Sequence, residues 1–386
     1  MKMKKKLIVG LVTLLSVVLA AGFAYAQISG QCAQCHTMHA SQNGTFPTGM
    51  TSGPNAYLLL AGCIACHSGA AGSATNSFNA PIVYRISGVP GGQGGTYTNA
   101  GGDFYWVADS GANLDSEGHN VAGISGQDVA IAANLGYTPP GWDLNATPGA
   151  LNDGQIAAGG ANWGTTQLNC AGQYGCHGNH SAVGDFPGIH GSHHGNTGGT
   201  ATQASTPTTV GNSFRFLSGI KGLEQSMWNF NETTSSHNEY YGYNDTVNRN
   251  AGEGAIAHSA YSDLGTISYL CAECHGRFHA SIASGAAGAS PWLRHPTDIA
   301  LPSDVTKEYT NYTNYSLEAP VARPSVLSGS NSTVTPGTDI VMCLSCHRAH
   351  GSNQPDILRW NYNGMIAGSG NSDTGCFTCH THKNAS

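Results

Sequence analysis

Cysteine and histidine are the residues here whose spacing implies chemistry. Cys343-Leu344-Ser345-Cys346-His347-Arg348-Ala349-His350 sets two thiols three residues apart, a histidine directly after the second, and another histidine three residues on. That spacing lets both thiols add to the vinyl groups of one haem as thioethers, with the adjoining imidazole held against the iron. His350 cannot swing to the opposite face of the same haem, so it is free to ligate a neighbouring one.

The arrangement recurs through the chain. Cys32-Ala-Gln-Cys35-His36 is followed by His39, and Cys271-Ala-Glu-Cys274-His275 by His279. Cys63-Ile-Ala-Cys66-His67 and Cys376-Phe-Thr-Cys379-His380 carry the bare five-residue form. Cys170-Ala-Gly-Gln-Tyr-Gly-Cys176-His177 separates its thiols by five residues and is followed by His180. All 12 cysteines fall into six Cys…Cys-His units, which predicts six covalently bound haem c groups. Gly172 and Gly175 let the long spacer of the third unit bulge outward while its thiols still reach one macrocycle. A disulfide framework would not need a histidine after every second cysteine. A structural zinc site needs a second ligand pair that these units lack.

The histidines must also supply the opposite face of each iron. Of 18 histidines, six are proximal: His36, His67, His177, His275, His347 and His380. Twelve remain for six distal positions. His39, His180 and His350 lie three residues beyond a proximal partner, His279 lies four beyond, and His119 and His295 stand alone among turn formers. His190, His193, His194, His237, His258 and His382 are spares, any of which could displace one of those six. Two histidines per iron leave no open coordination position, which disfavours chemistry at the metal and leaves one-electron transfer.

The elements positioning these groups must be short. The sequence holds 53 glycines, 10% charged residues and long Ser/Thr/Asn/Gly tracts. Such a chain cannot bury a large aliphatic core and leans toward disorder by itself. Covalent haems change that, because their apolar faces become the core and their bonds staple the loops. The expected fold is irregular and loop-rich, an elongated assembly with short helices and few short strands. Strand-like runs stand at 82–86 and 104–107, with a further candidate at 214–217; 57–61 reads as a helical turn and 240–243 as an aromatic wrapper.

Lys2, Lys4, Lys5 and Lys6 precede an apolar run, and Ala24-Tyr25-Ala26 offers a signal-peptidase site. The expected organisation is therefore a signal peptide over 1–26 and a single hexahaem domain over 27–386, secreted and without a further span. Without the four leader lysines, 11 of the 15 basic residues remain against 22 acidic ones, a net charge of −11 with histidines neutral. That balance, with no basic run after residue 6, disfavours nucleic acid and fits cationic partners or metal ions.

Several phrases carry a family likeness: Cys-His-Thr-Met-His at 35–39, Gly-Gly-Asp-Phe at 101–104, Ser-Glu-Gly-His-Asn at 116–120, Leu-Arg-His-Pro at 293–296 and Cys-Leu-Ser-Cys-His-Arg-Ala-His at 343–350. In this order they resemble the hexahaem outer-surface c-type cytochromes of metal-reducing bacteria, which polymerise into extracellular electron-conducting filaments. The resemblance implies little regular secondary structure, and His39, His119, His180, His279, His295 and His350 as distal ligands. It further implies that His39 ligates the fifth haem of an adjacent subunit. The five-residue spacer of the third unit departs from the family pattern, as does the shorter stretch between the fifth and sixth units.

The leading expectation is thus a non-enzymatic, extracellular filament subunit. Its partners would be itself, other c-type cytochromes, and extracellular metal oxides or electrodes. A monomeric periplasmic or cell-surface shuttle or metal reductase is the alternative, and a multihaem reductase a third class requiring one vacant iron face. Mass spectrometry of the denatured protein is expected to show six covalent haems, and five would point to an unloaded Cys170–Cys176 unit.

Overall fold

The computed structural model describes residues 31–39, 45, 55–78, 80–90, 99–108, 115–128, 138–141, 166–195, 200–201, 207, 209–225, 232–244, 265–275, 278, 295–306, 308–326, 329–369 and 374–381. The leader over 1–26 lies outside them. The chain is loop-rich, with few short helices and strands. Among the described residues no helix is long and apolar enough to cross a membrane.

The cysteine motifs make most of the helical turns themselves. The second unit is a helix over Cys63–His67, the sixth a helix over Cys376–Cys379, and the first and fifth are 3-10 turns over Cys32–Gln34 and Cys343–Ser345. In four units the motif histidine donates its backbone N–H to the first cysteine carbonyl: His36 to Cys32 at 2.8 Å, His275 to Cys271 at 2.9 Å, His347 to Cys343 at 3.1 Å and His380 to Cys376 at 2.9 Å. A helical turn closed this way sets the histidine one turn beyond the first thiol, on the same face. The fourth unit rides on a helix over Ile267–Ala272, whose first turn is capped by Thr266 Oγ1 accepting from the Tyr269 N–H at 3.1 Å.

Strands are two to four residues long. β1 (Ser68–Ala70) pairs in parallel with β2 (Tyr84–Ser87), and β3 (Asn169–Ala171) in parallel with β4 (Gly175–His177). A mixed sheet joins β5 (Thr200–Ala201), β6 (Gly222–Leu223), β7 (Glu239–Tyr241), β8 (Ile299–Ala300), β9 (Ala322–Arg323) and β10 (Ile340–Val341) in the order β5-β6-β7-β9-β10-β8. Only β7 and β9 run parallel there.

This sheet carries a larger protein core than the composition suggests. Phe214, Leu217, Ile220, Tyr240, Ile267, Ala322, Ile340, Met342 and Leu344 pack as one buried cluster. Leu301, Tyr312, Tyr315, Val321, Val334 and Val341 form a second, and Phe104, Val107 and Val121 a third. The fifth unit grows out of β10 and shares the first cluster through Met342 and Leu344, so its turn is fastened to the sheet.

Four local readings of the sequence change. Residues 104–107 are not a strand: Asp103 Oδ1 accepts from the Tyr105 N–H at 2.9 Å and starts a helix over Tyr105–Ala108. Residues 214–217 and 56–59 are tight turns with positive φ at both central positions, Arg215 and Phe216 in one, Tyr57 and Leu58 in the other. The aromatic run at 240–243 opens as strand β7, with Tyr240 in the core rather than wrapped around it. Residues 82–86 do yield strand β2, over Tyr84–Ser87.

A buried ionic network knits the sheet. Arg323, 4% exposed, donates from Nε to Glu239 at 2.7 Å and from Nη1 to Asp339 at 2.8 Å, and from Nη2 to the carbonyls of Asn331 and Thr333. Burial works against the Glu239 charge. Hydrogen bonds from His237 and the Asn331 N–H, with the Arg323 charge, outweigh it and hold the carboxyl below its ordinary range. Removing one partner from such a network strands the others in a poor dielectric. Arg323→Met should therefore cost about 3–5 kcal/mol, read as a lower denaturation midpoint at unchanged haem content.

Candidate haem sites

The motif histidines are anchored in one consistent way. Their Nδ1 atoms face acceptors of the protein: the carbonyls of Tyr57 for His36 (3.1 Å), Pro81 for His67 (3.0 Å), Arg215 for His177 (2.9 Å), Pro140 for His275 (2.6 Å) and Asp356 for His347 (2.8 Å). His380 instead faces the Glu308 carboxylate, at 2.5 Å. A carbonyl can only accept, so Nδ1 carries the proton and Nε2 keeps its lone pair for a metal.

Five of these imidazoles look across a gap at a second imidazole. Ring centres are 6.1 Å apart for His36 and His194, 6.2 Å for His67 and His193, 6.5 Å for His177 and His350, 6.1 Å for His275 and His119, and 6.2 Å for His380 and His295. Direct ring stacking would bring the centres closer, as in His237 on Tyr315 at 3.6 Å. A metal held between two imidazoles puts their centres about 6 Å apart, from two metal–nitrogen bonds of about 2.0 Å and two ring radii of about 1.1 Å. The gaps therefore fit an iron and its macrocycle. Burial is the largest influence on seven of these rings. It holds His67, His119 and His295 below the ordinary imidazole value, and takes His177, His193 and His275 to about 4 and His350 to about 3. They are neutral donors at neutral pH.

The other histidines behave differently. His180 has Nδ1 2.5 Å from Glu273 and Nε2 3.2 Å from the Cys176 carbonyl, so both nitrogens are engaged away from any imidazole. Burial opposes its charge, but the Glu273 hydrogen bond and charge outweigh that and raise it. His237 is buried between the Thr233 carbonyl and Glu239, and His190 packs on Tyr57 with centres 4.6 Å apart. His279, with His258 and His382, lies outside the described residues. His347 and His39 are both exposed, and among the described residues neither faces another imidazole.

The structure thus sets His119, His295 and His350 opposite proximal rings, together with His193 and His194, two of the spares, while His180 is turned to Glu273 and His279 lies outside the described residues. The signal missed was adjacency. Two consecutive histidines on the short helix over Ser192–Gly195 can serve two neighbouring irons at once.

The thiols, standing in for thioether sulfurs, order the units in space. All twelve cysteines are free of disulfides. Cys63 and Cys170 hydrogen-bond through sulfur, as do Cys271 and Cys343. Burial raises Cys66, Cys274 and Cys379, and the next influence on each is a thiol of the adjacent unit: Cys35, Cys176 and Cys346 respectively. The units therefore neighbour one another in chain order, from first to sixth.

The third unit reaches the same end by another route. Parallel pairing of Asn169 with Gly175 and Ala171 with His177 sets Cys170 and Cys176 at one level of the ladder, with the extra residues curled outside. Gly172 sits at φ +79°, and a Cβ on Gly175 would lie 2.4 Å from the Ala171 nitrogen.

These sites define a class, the multihaem c-type cytochromes, whose haem is bound covalently at such motifs. The family model for the doubled CXXCH motif matches residues 336–385, the fifth and sixth units. Among curated proteins the chain is similar to C-type cytochrome OmcS of Geobacter sulfurreducens, 27% identical over 424 aligned positions covering 93% of this chain and 86% of that protein. Two solved structures from the same organism are also similar. An outer membrane cytochrome S filament shares 19% identity over 89% of this chain and 86% of its own, with TM-score 0.42. The OmcS nanowires share 20% over 88% and 85%, with TM-score 0.38.

Gly175→Ala should leave no room for the curl that aligns Cys170 with Cys176. The purified protein is then expected to carry one haem fewer by denatured mass, with the other attachments kept.

Proposed function

We propose that this chain is an extracellular cytochrome subunit that polymerises head to tail and conducts electrons along a file of six bis-histidine haems. The observation that carries the reading is the set of five facing imidazole pairs, together with a sixth proximal histidine, His347, that stands exposed and faces no other imidazole among the described residues. Opposite His36, His67, His177, His275 and His380 the ligands are His194, His193, His350, His119 and His295. Opposite His347 the ligand is His39 of the next subunit.

Bound haem supplies one-electron chemistry between ferric and ferrous iron. The residues do the rest. Each Nδ1 contact holds its ring in register, filling both faces excludes substrate from the metal, and the neighbouring thiols keep successive sites close. No catalytic role is assigned to any residue. The acidic surface expected from the sequence suits cationic partners and mineral or electrode acceptors, and the likeness to OmcS supports secretion to the cell surface.

Exposed apolar side chains support end-to-end contact. Met38 (77% exposed), Tyr57 and Leu58 surround the His39 end, while Tyr362 (67%) and Ile366 follow the fifth unit. A contact between unlike surfaces that does not close into a ring produces a filament. His39→Ala should yield soluble subunits with all haems attached, one of them lacking a sixth ligand, and no filaments by electron microscopy of the secreted fraction. Filaments persisting in that variant would sink the reading.

A further inference from the structure

The six sites alternate in kind. The first, third and fifth proximal histidines each dock on a turn of one design: Ala56-Tyr-Leu-Leu59, Phe214-Arg-Phe-Leu217 and Pro355-Asp-Ile-Leu358. In all three, both central residues have positive φ, and the carbonyl of the first central residue receives the histidine Nδ1. The carbonyl of the second central residue accepts the N–H following that histidine: Thr37 at 2.8 Å, Gly178 at 2.7 Å and Arg348 at 2.8 Å. The same three units, and no others, carry a second histidine three residues on: His39, His180 and His350. The even-numbered histidines use the Pro81 and Pro140 carbonyls and the Glu308 side chain instead.

The thiols alternate in step. Within the pairs one–two, three–four and five–six, second cysteines neighbour each other: Cys35 with Cys66, Cys176 with Cys274, Cys346 with Cys379. Between pairs, first cysteines meet in hydrogen-bonding contact: Cys63 with Cys170, Cys271 with Cys343. The distal histidines follow the same division. His350 of the fifth unit faces the third unit's His177, and the lone His119 faces the fourth unit's His275. In the last pair the lone His295 faces the sixth unit's His380, and among the described residues no imidazole stands at the place corresponding to His350.

We infer that the chain is three copies of a two-haem module, and that the contact between subunits repeats the contact between its second and third modules. His39 of the next subunit takes the place of His350, and its Cys32 meets Cys376 as Cys343 meets Cys271. This rests on the head-to-tail reading above and specifies its geometry. Cys32, like His39, is exposed. The first module departs from the rule: its distal rings come from His193 and His194, and His180 is turned to Glu273. That departure falls in the unit whose cysteine spacer is lengthened.

Cryo-electron microscopy of wild-type filaments tests this. Superposing the third module on the second should bring residues 36–39 of the next subunit onto 347–350, with Cys32 as near Cys376 as Cys343 is to Cys271. Filaments built through another face, or with a different first-cysteine contact, would overturn the inference and leave polymerisation standing. No filaments at all would overturn both. Carbon monoxide binding to the reduced protein gives an independent reading. His350→Ala and His39→Ala should each open one site per subunit, and the double variant two. A His350→Ala protein with every iron still six-coordinate would remove the template junction and the inference with it.

Discussion

Everything in this protein depends on holding six imidazoles with one nitrogen tied back and the other free. A carbonyl behind Nδ1 settles the tautomer and makes Nε2 the better donor. The structure meets that requirement by local turns and loops rather than by long helices or a broad sheet, because a carbonyl can be offered by any backbone segment that passes close by. Pro81 and Pro140 do so from loops, Tyr57, Arg215 and Asp356 from turns. Regular secondary structure is needed only where several sites must be kept in one frame, and the six-stranded sheet does this beneath the fifth unit.

How much of this could be read in the sequence divides along physical lines. The cysteine–histidine units are covalent chemistry written in spacing, so they are legible residue by residue. The loop-rich fold follows from composition. The facing partners are set by three-dimensional packing, and spacing alone reads His350 and His180 alike, whereas the structure sets the first opposite His177 and turns the second to Glu273. Both have the same local pattern, and what separates them is Glu273, nearly a hundred residues downstream of His180 and invisible to a local reading. The docking turns were also hidden. Nothing in Phe-Arg-Phe-Leu suggests positive φ, since turns of that kind favour Asn-Gly or Gly-rich pairs.

Charge and solvation agree with the ligand geometry. An imidazole that titrated near neutrality would compete with protons for the metal. Burial removes the competition by lowering His67, His119, His177, His193, His275, His295 and, most strongly, His350. The same burial leaves polar backbone to be satisfied, and the segment after the fifth unit shows how. His350 accepts at its carbonyl from the His119 N–H and donates its own N–H to Gly101, while Ser352 donates to Glu117. Gly102 and Gly118 both bridge to Gly351. A Cβ on Gly102 would fall 1.9 Å from the Gly351 oxygen, so the strands approach as closely as backbone can. Two of the facing histidines, His119 and His350, are thereby fixed by one small ladder and cannot move independently.

The docking turns carry a cost that points to their role. Five bulky residues of these turns at positive φ, each costing about 1–2 kcal/mol, together approach the whole stability of a typical domain, while Asp356 is of a type that takes that conformation more readily. Asn-Gly pairs would relieve the strain. Their absence means that the side chains are needed where that backbone puts them. Tyr57 packs on His190, and Phe216 packs on His193 with ring centres 5.2 Å apart. Two separate turns thus brace the one loop, 190–194, that presents His193 and His194 to the first two proximal rings. Backbone strain persists where the surroundings over-determine it. Here the surroundings are the Nδ1 bond on one side and the braced loop on the other: the 56–59 turn spans from His36 to the loop that carries His194, its facing ring, and the 214–217 turn ties His177 to the His193 that faces His67.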